Sequence, residues 1–403
     1  MIHKQPWRSL TMRVLLIACF ALLSACQAAG TFRFERVLID GEVPGGYGLT
    51  VADVDGDGRD DIIALATNPA QFVWYRNPTW EKYQITATSS GNIAVAAQDI
   101  DGDGDIDLVL ASEFDLRAST EGGLVQWFEN PGNPMENQQW QAYKIDSVPT
   151  SHRLRWADIR GSGKPALINL PIIGIGAVAP RYETGAQLKA YPLPANPRGP
   201  WTSVVLDDSL EMAHGLAVVD WNADGRDELL TASFTGIDLL RFASDGVFVK
   251  KTQLGEGERG ERPHQGSSEV ALGTLRRGKR FLASIEPWHG NEVVVYEAGE
   301  EASLPWVRRV IDDSLVGGHA LLVADLNNDG RDEIIAGNRS IPYGLYYYRY
   351  QSETGVWERS SISEGRIAVS GLAIADFTGN GFLDIVAIGT ATGNVVLFKN
   401  RGR

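Results

Sequence analysis

The sequence predicts an all-β fold, a seven-bladed β-propeller of four-stranded blades closed by its N-terminal strand. Three observations lead there. A glycine-turn pattern recurs seven times, an aromatic signature precedes six of the copies, and each end of the chain lacks the strand that the other offers.

The copies are YGLTVADVDGDGRDDII (47–63), IAVAAQDIDGDGDIDLV (93–109), HRLRWADIRGSGKPALI (152–168), HGLAVVDWNADGRDELL (214–230), SSEVALGTLRRGKRFLA (267–283), GHALLVADLNNDGRDEII (318–335) and SGLAIADFTGNGFLDIV (370–386). Each alternates into a glycine turn and leaves through a second apolar run, which is the pattern of a β-hairpin and supplies strands a and b. Runs such as QFVWYRN, GLVQWFEN and NVVLFKN supply strand c. Strand d carries an aromatic residue, four further residues, then Ile or Leu: Trp80…Ile85, Trp140…Ile145, Trp201…Leu206, Trp306…Ile311 and Trp357…Ile362. The unit repeats every 46 to 62 residues. After the last c strand (393–399) the chain stops without a d strand, whereas FERVLID (34–40), with Phe34…Ile39, is a d strand with no blade before it. Pairing the two closes the ring and removes both exposed edges.

Residues 1–26 read as a targeting segment. Lys4, Arg8 and Arg13 precede VLLIACFALL (14–23), an apolar stretch too short to span a bilayer. Leu23-Ser24-Ala25-Cys26 resembles the lipobox of bacterial lipoproteins, which implies acylation of Cys26 and an envelope lipoprotein held to a membrane by its lipid anchor. Gln27 in place of aspartate implies the outer membrane, facing periplasm or surface. The two cysteines, Cys19 and Cys26, both lie in this segment, so residues 31–403, the propeller, have no disulfide. Removing the segment's three cations takes the formal charge from −14 to −17. An acidic surface excludes nucleic acid as the expected partner.

Much of that acid sits in the glycine turns. Asp325, Asn327, Asp329 and Gly330 mimic the start of an EF-hand, but the twelfth position is Ala336 and the flanks are β-like. The loops instead resemble FG-GAP or VCBS repeats, over essentially residues 31–403. That family binds calcium through side chains at loop positions 1, 3, 5 and 9, and hard carboxylate oxygens around a tight glycine turn suit that ion. The matching sets are Asp53, Asp55, Asp57 and Asp61; Asp99, Asp101, Asp103 and Asp107; Asp220, Asn222, Asp224 and Glu228; and Asp325, Asn327, Asp329 and Glu333. Asp376, Thr378, Asn380 and Asp384 form a fifth with two carboxylates. Four to five structural Ca2+ ions are therefore expected. Blades 3 and 5 depart from the pattern, with Arg160, Ser162 and Ala166 after Asp158, and Gly273, Leu275, Arg277 and Phe281.

The opposite face carries the histidines. Six residues before each loop stand Tyr47, Ile93, His152, His214, Ser267, His319 and Ser370, one per blade. His264, in a d–a connection, and His289, in the b–c loop EPWHGN (286–291), belong to the same face, so all five histidines after residue 26 map to one mouth of the channel. Two chemistries fit. Converging neutral imidazoles bind zinc or another divalent ion with an open position. Alternatively, free histidines with Tyr47 act as general acid and base. Glu113, Arg117, Arg181, Tyr182, Trp288, Arg339 and Tyr343 stand on neighbouring loops, where arginines suit anions and aromatics suit sugar faces.

HRLRWADIRGSGKPALINLP (152–171), GAVAP (176–180) and ALGTLRRGKRFLASIEPWHGNEVVVY (271–296) resemble the propeller part of aldos-2-ulose dehydratase-type proteins. The resemblance implies a carbon–oxygen lyase that eliminates water from a keto-sugar, with His152, His214 and His319 central and His264 and His289 as further ligands or proton carriers. Activity housed in the additional cupin portion of the fungal enzymes is expected to be absent. Two other readings stay open: a uronate-polysaccharide lyase or glycosidase on the same face, and a non-enzymatic calcium-stabilised scaffold binding a glycan or an envelope protein.

Overall fold

A computed structural model describes residues 32–402, except 244, 247 and 299–303. The targeting segment and Cys26 lie outside the described residues. Among those described, the strands form seven four-stranded antiparallel sheets, each ordered a-b-c-d, and no helix is long and apolar enough to cross a membrane.

The sixfold run of sheets is completed as the chain ends require. Blade 7 takes strands a to c from Val369–Ala375, Asp384–Gly389 and Asn394–Asn400, and its d strand from Phe34–Asp40. Phe34 faces Asn400 and Val37 faces Leu397. The ladder continues past the strands, with Arg401 N–H on Arg33 O at 2.8 Å and Arg33 N–H on Gly402 O at 3.1 Å.

Packing explains the strand compositions. The b strands Asp61–Ala66, Asp107–Ser112, Glu333–Asn338 and Asp384–Gly389 are buried at every residue, because a neighbouring blade covers each face. Seven apolar clusters fill the seven blade interfaces. Ile62 and Tyr75 meet Val386 and Leu397 between blades 1 and 7, for example, and Ile168 and Leu188 meet Leu229 and Leu240 between blades 3 and 4. The d-strand aromatics serve these interfaces. Trp140, Trp201, Trp306 and Trp357 are buried against the preceding blade, and the half-buried Phe34, with Phe32 beside it, packs in the same way on Tyr347 of blade 6. Phe34 thus repeats the packing of the tryptophans, which is why the first strand can stand as the seventh d strand.

Side-chain hydrogen bonds add a polar latch between blades. Asn77, at the end of strand c, donates from Nδ2 to Asp60 O of its own loop (3.0 Å) and to Phe377 O of the preceding blade (3.1 Å); Asn130 and Asn400 repeat this on Val54 O and Leu326 O. Blades 3 and 5, which lack the acidic loop, are latched from the next blade. Asp227 Oδ2 accepts Asp158 N–H at 2.6 Å, and Asp332 Oδ2 accepts Thr274 N–H at 2.6 Å.

Removal of residues 1–41 leaves Asn394–Asn400 as an open edge and uncovers Tyr347. Such a chain is expected to lose more than about 4 kcal/mol of unfolding free energy, beyond the ordinary range of point substitutions, and to self-associate. Denaturant titration with size-exclusion chromatography measures both; an unchanged monomer of unchanged stability would show that closure contributes nothing.

Candidate functional site

A local irregularity in strand a positions the channel-mouth residues. In blades 1, 3, 6 and 7 the a–b pairing skips one residue, and the skipped residues are Tyr47, His152, His319 and Ser370. A bulge leaves its extra residue outside the ladder and re-aims the side chain. His214 stands just before its strand, Gly215–Val219, with its N–H on Ala232 O at 3.0 Å. His289 arrives from the blade 5 b–c loop at φ 50°, a left-handed conformation that costs an L-residue about 1–2 kcal/mol. The base of that loop is fixed by the fully buried Glu286, which accepts hydrogen bonds from Ser267 Oγ (2.8 Å), Tyr296 Oη (2.7 Å) and Arg308 Nε (2.8 Å).

Four imidazoles converge. Ring centroids are 4.6 Å apart for His152–His214 and His214–His289, and 5.1 Å for His214–His319 and His289–His319. Trp288 stacks on His289 at 4.3 Å. The hydrogen-bond partners assign the protons. His319 Nδ1 meets Ser370 O at 2.7 Å, so it carries the proton and Nε2 carries a lone pair toward Tyr47 Oη at 3.3 Å. Tyr47 donates there, and its oxygen is then left to accept from His152 Nε2 at 2.9 Å. Arg153 Nη1 lies 3.2 Å from both ring nitrogens of His152, so the tautomer of that ring is set by the Tyr47 contact. A second chain runs alongside. Arg339 Nη2 donates to His289 Nδ1 (3.0 Å), His289 Nε2–H to His214 Nε2 (3.0 Å), and His214 Nδ1–H to Ser268 O (3.0 Å) and Glu269 Oε1 (2.9 Å). The first chain ends on Ser370 O; the second starts at Arg339 and ends on Ser268 O and the Glu269 carboxylate.

The electrostatics keep these imidazoles neutral. Burial, then the neighbouring Arg153, holds His152 well below its ordinary pKa; burial, then Arg339, does the same for His319. His289 is lowered by burial and by His214, and His214 by burial and Arg153, with Glu269 opposing. Burial pushes Glu269 upward, but Arg153 and His214 outweigh it and its pKa falls, so it stays ionised in a 2.7 Å ion pair with Arg153.

Arg153, Arg155 and Glu269 were missed as site residues in the sequence. The available signal was a pair of arginines in HRLRWA, where the other a strands place small or apolar residues. They line a cavity of about 110 Å3 in the channel together with Tyr47, His319 and Ser370. His264 stays apart from the ring cluster: it is exposed, in a turn closed by its N–H on Glu261 O. Arg181 and Arg117 are exposed and paired with Glu183 and Asp115, and Glu113 is exposed. Tyr182 is half-buried against an apolar cluster of Ile172, Ile173, Met212 and Phe234 that also holds Trp288. Tyr343 is half-buried, and its carbonyl accepts Gly365 N–H.

The donor sets can be tested for metals. Ligand atoms of His214, His289 and His319 lie within 4.8 Å of one another, a span that suits a divalent ion with three nitrogen donors. His214 and His319 already present Nε2 lone pairs with Nδ1–H held on carbonyls; His289 would have to move its proton to Nδ1 and release Arg339. On the other face, the first aspartate of each loop accepts backbone N–H groups, as Asp53 does from Asp57 and Gly58 and Asp325 from Asp329 and Gly330. Asp158 of blade 3 makes the same bonds to Ser162 and Gly163, so the turn forms without a full ligand set. The richer loops hold oxygens that nothing satisfies: Asp55 Oδ1 and Asn327 Oδ1 are buried without a hydrogen-bond partner. Asp53, Asp55 and Asp57, and likewise Asp99, Asp101 and Asp107, bring ligand oxygens together. Both sets fit a hard cation.

Comparison with known proteins agrees with this architecture. Residues 122–299 match the model of the aldos-2-ulose dehydratase β-propeller domain, and residues 53–110 and 325–387 match FG-GAP-like repeats. Aldos-2-ulose dehydratase of Phanerodontia chrysosporium is 26% identical over 360 residues, covering 81% of this chain and 38% of that protein, so the chain spans well under half of that relative. Two solved structures share the fold alone. The exotype rhamnogalacturonan lyase YesX superposes with a TM-score of 0.53 at 14% identity, covering 89% of this chain and 72% of its own. BBS1N, solved in complex with ARL6DN, gives 0.56 at 11% identity, covering 92% and 96%. The chain is thus a seven-bladed β-propeller that is similar over residues 122–299 to the aldos-2-ulose dehydratase β-propeller domain and over residues 53–110 and 325–387 to FG-GAP-like repeats.

Proposed function

We propose that this carbohydrate-active propeller is a carbon–oxygen lyase that eliminates water from a keto-sugar or related sugar at the Tyr47–His319 end of the histidine cluster. The observation that carries the reading is the proton chain His152–Tyr47–His319, built from neutral imidazoles and bordering a cavity. The 26% identity to a dehydratase supports the class of reaction. His319 Nε2 takes the proton from the carbon next to the carbonyl, and so frees the Tyr47 O–H that had donated to it. Tyr47 then protonates the departing hydroxyl as the C–O bond breaks. His152 Nε2–H stabilises the resulting phenolate by hydrogen bonding, and the His319 imidazolium returns its proton to the phenolate, so the net change is loss of water from the sugar. Arg153 supplies positive charge for the developing enolate. A zinc-like ion held by His214, His289 and His319 would be an alternative arrangement: it would supply Lewis-acid polarisation of a sugar oxygen and occupy the His319 Nε2 lone pair, removing His319 from the role of base. One equivalent of such a metal on elemental analysis, besides calcium, would support that arrangement.

Tyr47→Phe and His319→Gln are each expected to lower kcat/KM by about 100-fold or more, read as absorbance of the unsaturated product. His319 is neutral above a pKa held below 6.5. The acid limb of kcat/KM is therefore expected below pH 6.5, with no loss of the base as pH rises from 6.5 to 8; a limb centred above 6.5 would remove His319 from the role of base.

The acidic loops are proposed as calcium sites that brace the blades. Without calcium, burial pushes Asp61 and Asp107 up to about 7 and Glu333 up to about 8, with neighbouring loop carboxylates adding to the rise. These folded values lie above the unfolded ones near 4, so the stability they contribute is present at low pH and lost as pH climbs from about 4 to about 8. Chelator-treated protein is expected to melt lower at pH 8 than at pH 5, and calcium to raise Tm most at pH 8. Equal melting with and without calcium across that range would remove the ion from these loops.

A further inference from the structure

The channel below the histidines holds more positive charge than it compensates. Arg153 is bound to Glu269 at 2.7 Å. Arg155, two residues further along the same strand, lines the same cavity and gives one hydrogen bond, from Nη1 to Leu154 O at 2.8 Å; among the described residues no carboxylate lies within ion-pair distance of it. Its side chain is exposed to the channel beside the like charge of Arg153, and it is charged at neutral pH. The histidines beside it are neutral, and the chain as a whole is strongly acidic.

An exposed guanidinium with no carboxylate beside it is available to an anion that enters the channel. Its planar fork matches a carboxylate, which it can bind through two parallel hydrogen bonds. Because Arg155, Arg153, Tyr47 and His319 share one cavity, an anion at the arginines stands next to the proposed base and acid. The cavity is too small for several sugar units, so the group that enters belongs to a single residue or a chain end.

We propose that the channel is a carboxylate-binding subsite, with Arg155 as the principal ligand and Arg153 beside it, and that the sugar the protein takes is an acidic one. The subsite rests on geometry alone; the assignment to a sugar also rests on the function proposed above.

Calorimetric titration of the chain from residue 27 at low ionic strength tests both, using galacturonate, galactose and acetate without following turnover. Galacturonate is expected to bind at one site at least tenfold tighter than galactose. Arg155→Met is expected to weaken it at least tenfold with Tm unchanged, and Arg155→Lys, which keeps the charge without the fork, to fall between. Should Arg155→Met fail to fold, the Lys variant carries the comparison. Acetate binding as tightly as galacturonate, and lost in the variant, would keep the anion subsite and overturn the acidic sugar. Equal binding of galacturonate and galactose, or no effect of either variant, would overturn the subsite. Because turnover is not measured, failure here leaves the lyase reading to its own assay.

Discussion

Everything in this molecule depends on each blade having a neighbour on both sides. A four-stranded blade with b and c strands as apolar as DIIALA and QFVWYR cannot stand alone, because both of its faces must be covered. Seven interfaces are filled by seven clusters, and the last interface exists only because Phe34–Asp40 joins blade 7 and places Phe34 against Tyr347. Closure also fixes the channel. Residues with the same offset in successive a strands must face one another around it, whatever their identity, and that turns a sequence register into a three-dimensional site.

This constraint explains what could be read in advance. The repeat offsets gave equivalent positions, so Tyr47, His152, His214 and His319 could be placed on one ring without knowledge of any contact, and the loop carboxylates on the other face. The bulges that aim these side chains have no sequence marker beyond the small neighbours Gly46, Gly48 and Gly318, which many turns share. His264 lies in a d–a connection, which has no register, so its ring direction was not determined by the repeat. The arginines went unread because periodicity describes what blades have in common. HRLRWA departs from the repeat, and a departure can be interpreted only when its cavity is known.

The same logic separates the two kinds of glycine turn. In blades 3 and 5 the acidic ligand set has been lost, yet the turns keep their place. Asp227 and Asp332 of the following blades bind Asp158 N–H and Thr274 N–H across the interface. A carboxylate reaching in from a neighbour secures these turns by hydrogen bonds. The four rich loops instead collect carboxylates against one another, and bury Asp61, Asp107 and Glu333 beside like charges. Such clustering disfavours ionisation in an ion-free fold, and a divalent cation, as proposed, would convert the repulsion into attraction. The two loop types therefore represent two solutions to one problem, holding an a–b turn against the next blade.

At the other mouth, the electrostatic direction is reversed. Arginines, not carboxylates, surround the titratable groups, and their effect is to keep imidazoles unprotonated where burial already disfavours charge. Guanidinium groups also act as donors that cannot accept, so Arg339 dictates that Nδ1 of His289 is bare and the next proton lies on His214 Nδ1, facing Ser268 O. In the other chain the order is set from the far end, where Ser370 O fixes His319, then Tyr47, then His152. A histidine cluster without such terminal partners would have several tautomers of similar energy. Here one arrangement satisfies every partner, and it leaves His319 Nε2 and the Tyr47 hydroxyl directed at each other beside the cavity. The pair is thereby set before any ligand enters, and in the proposed subsite a carboxylate would supply the negative charge that Arg155 lacks.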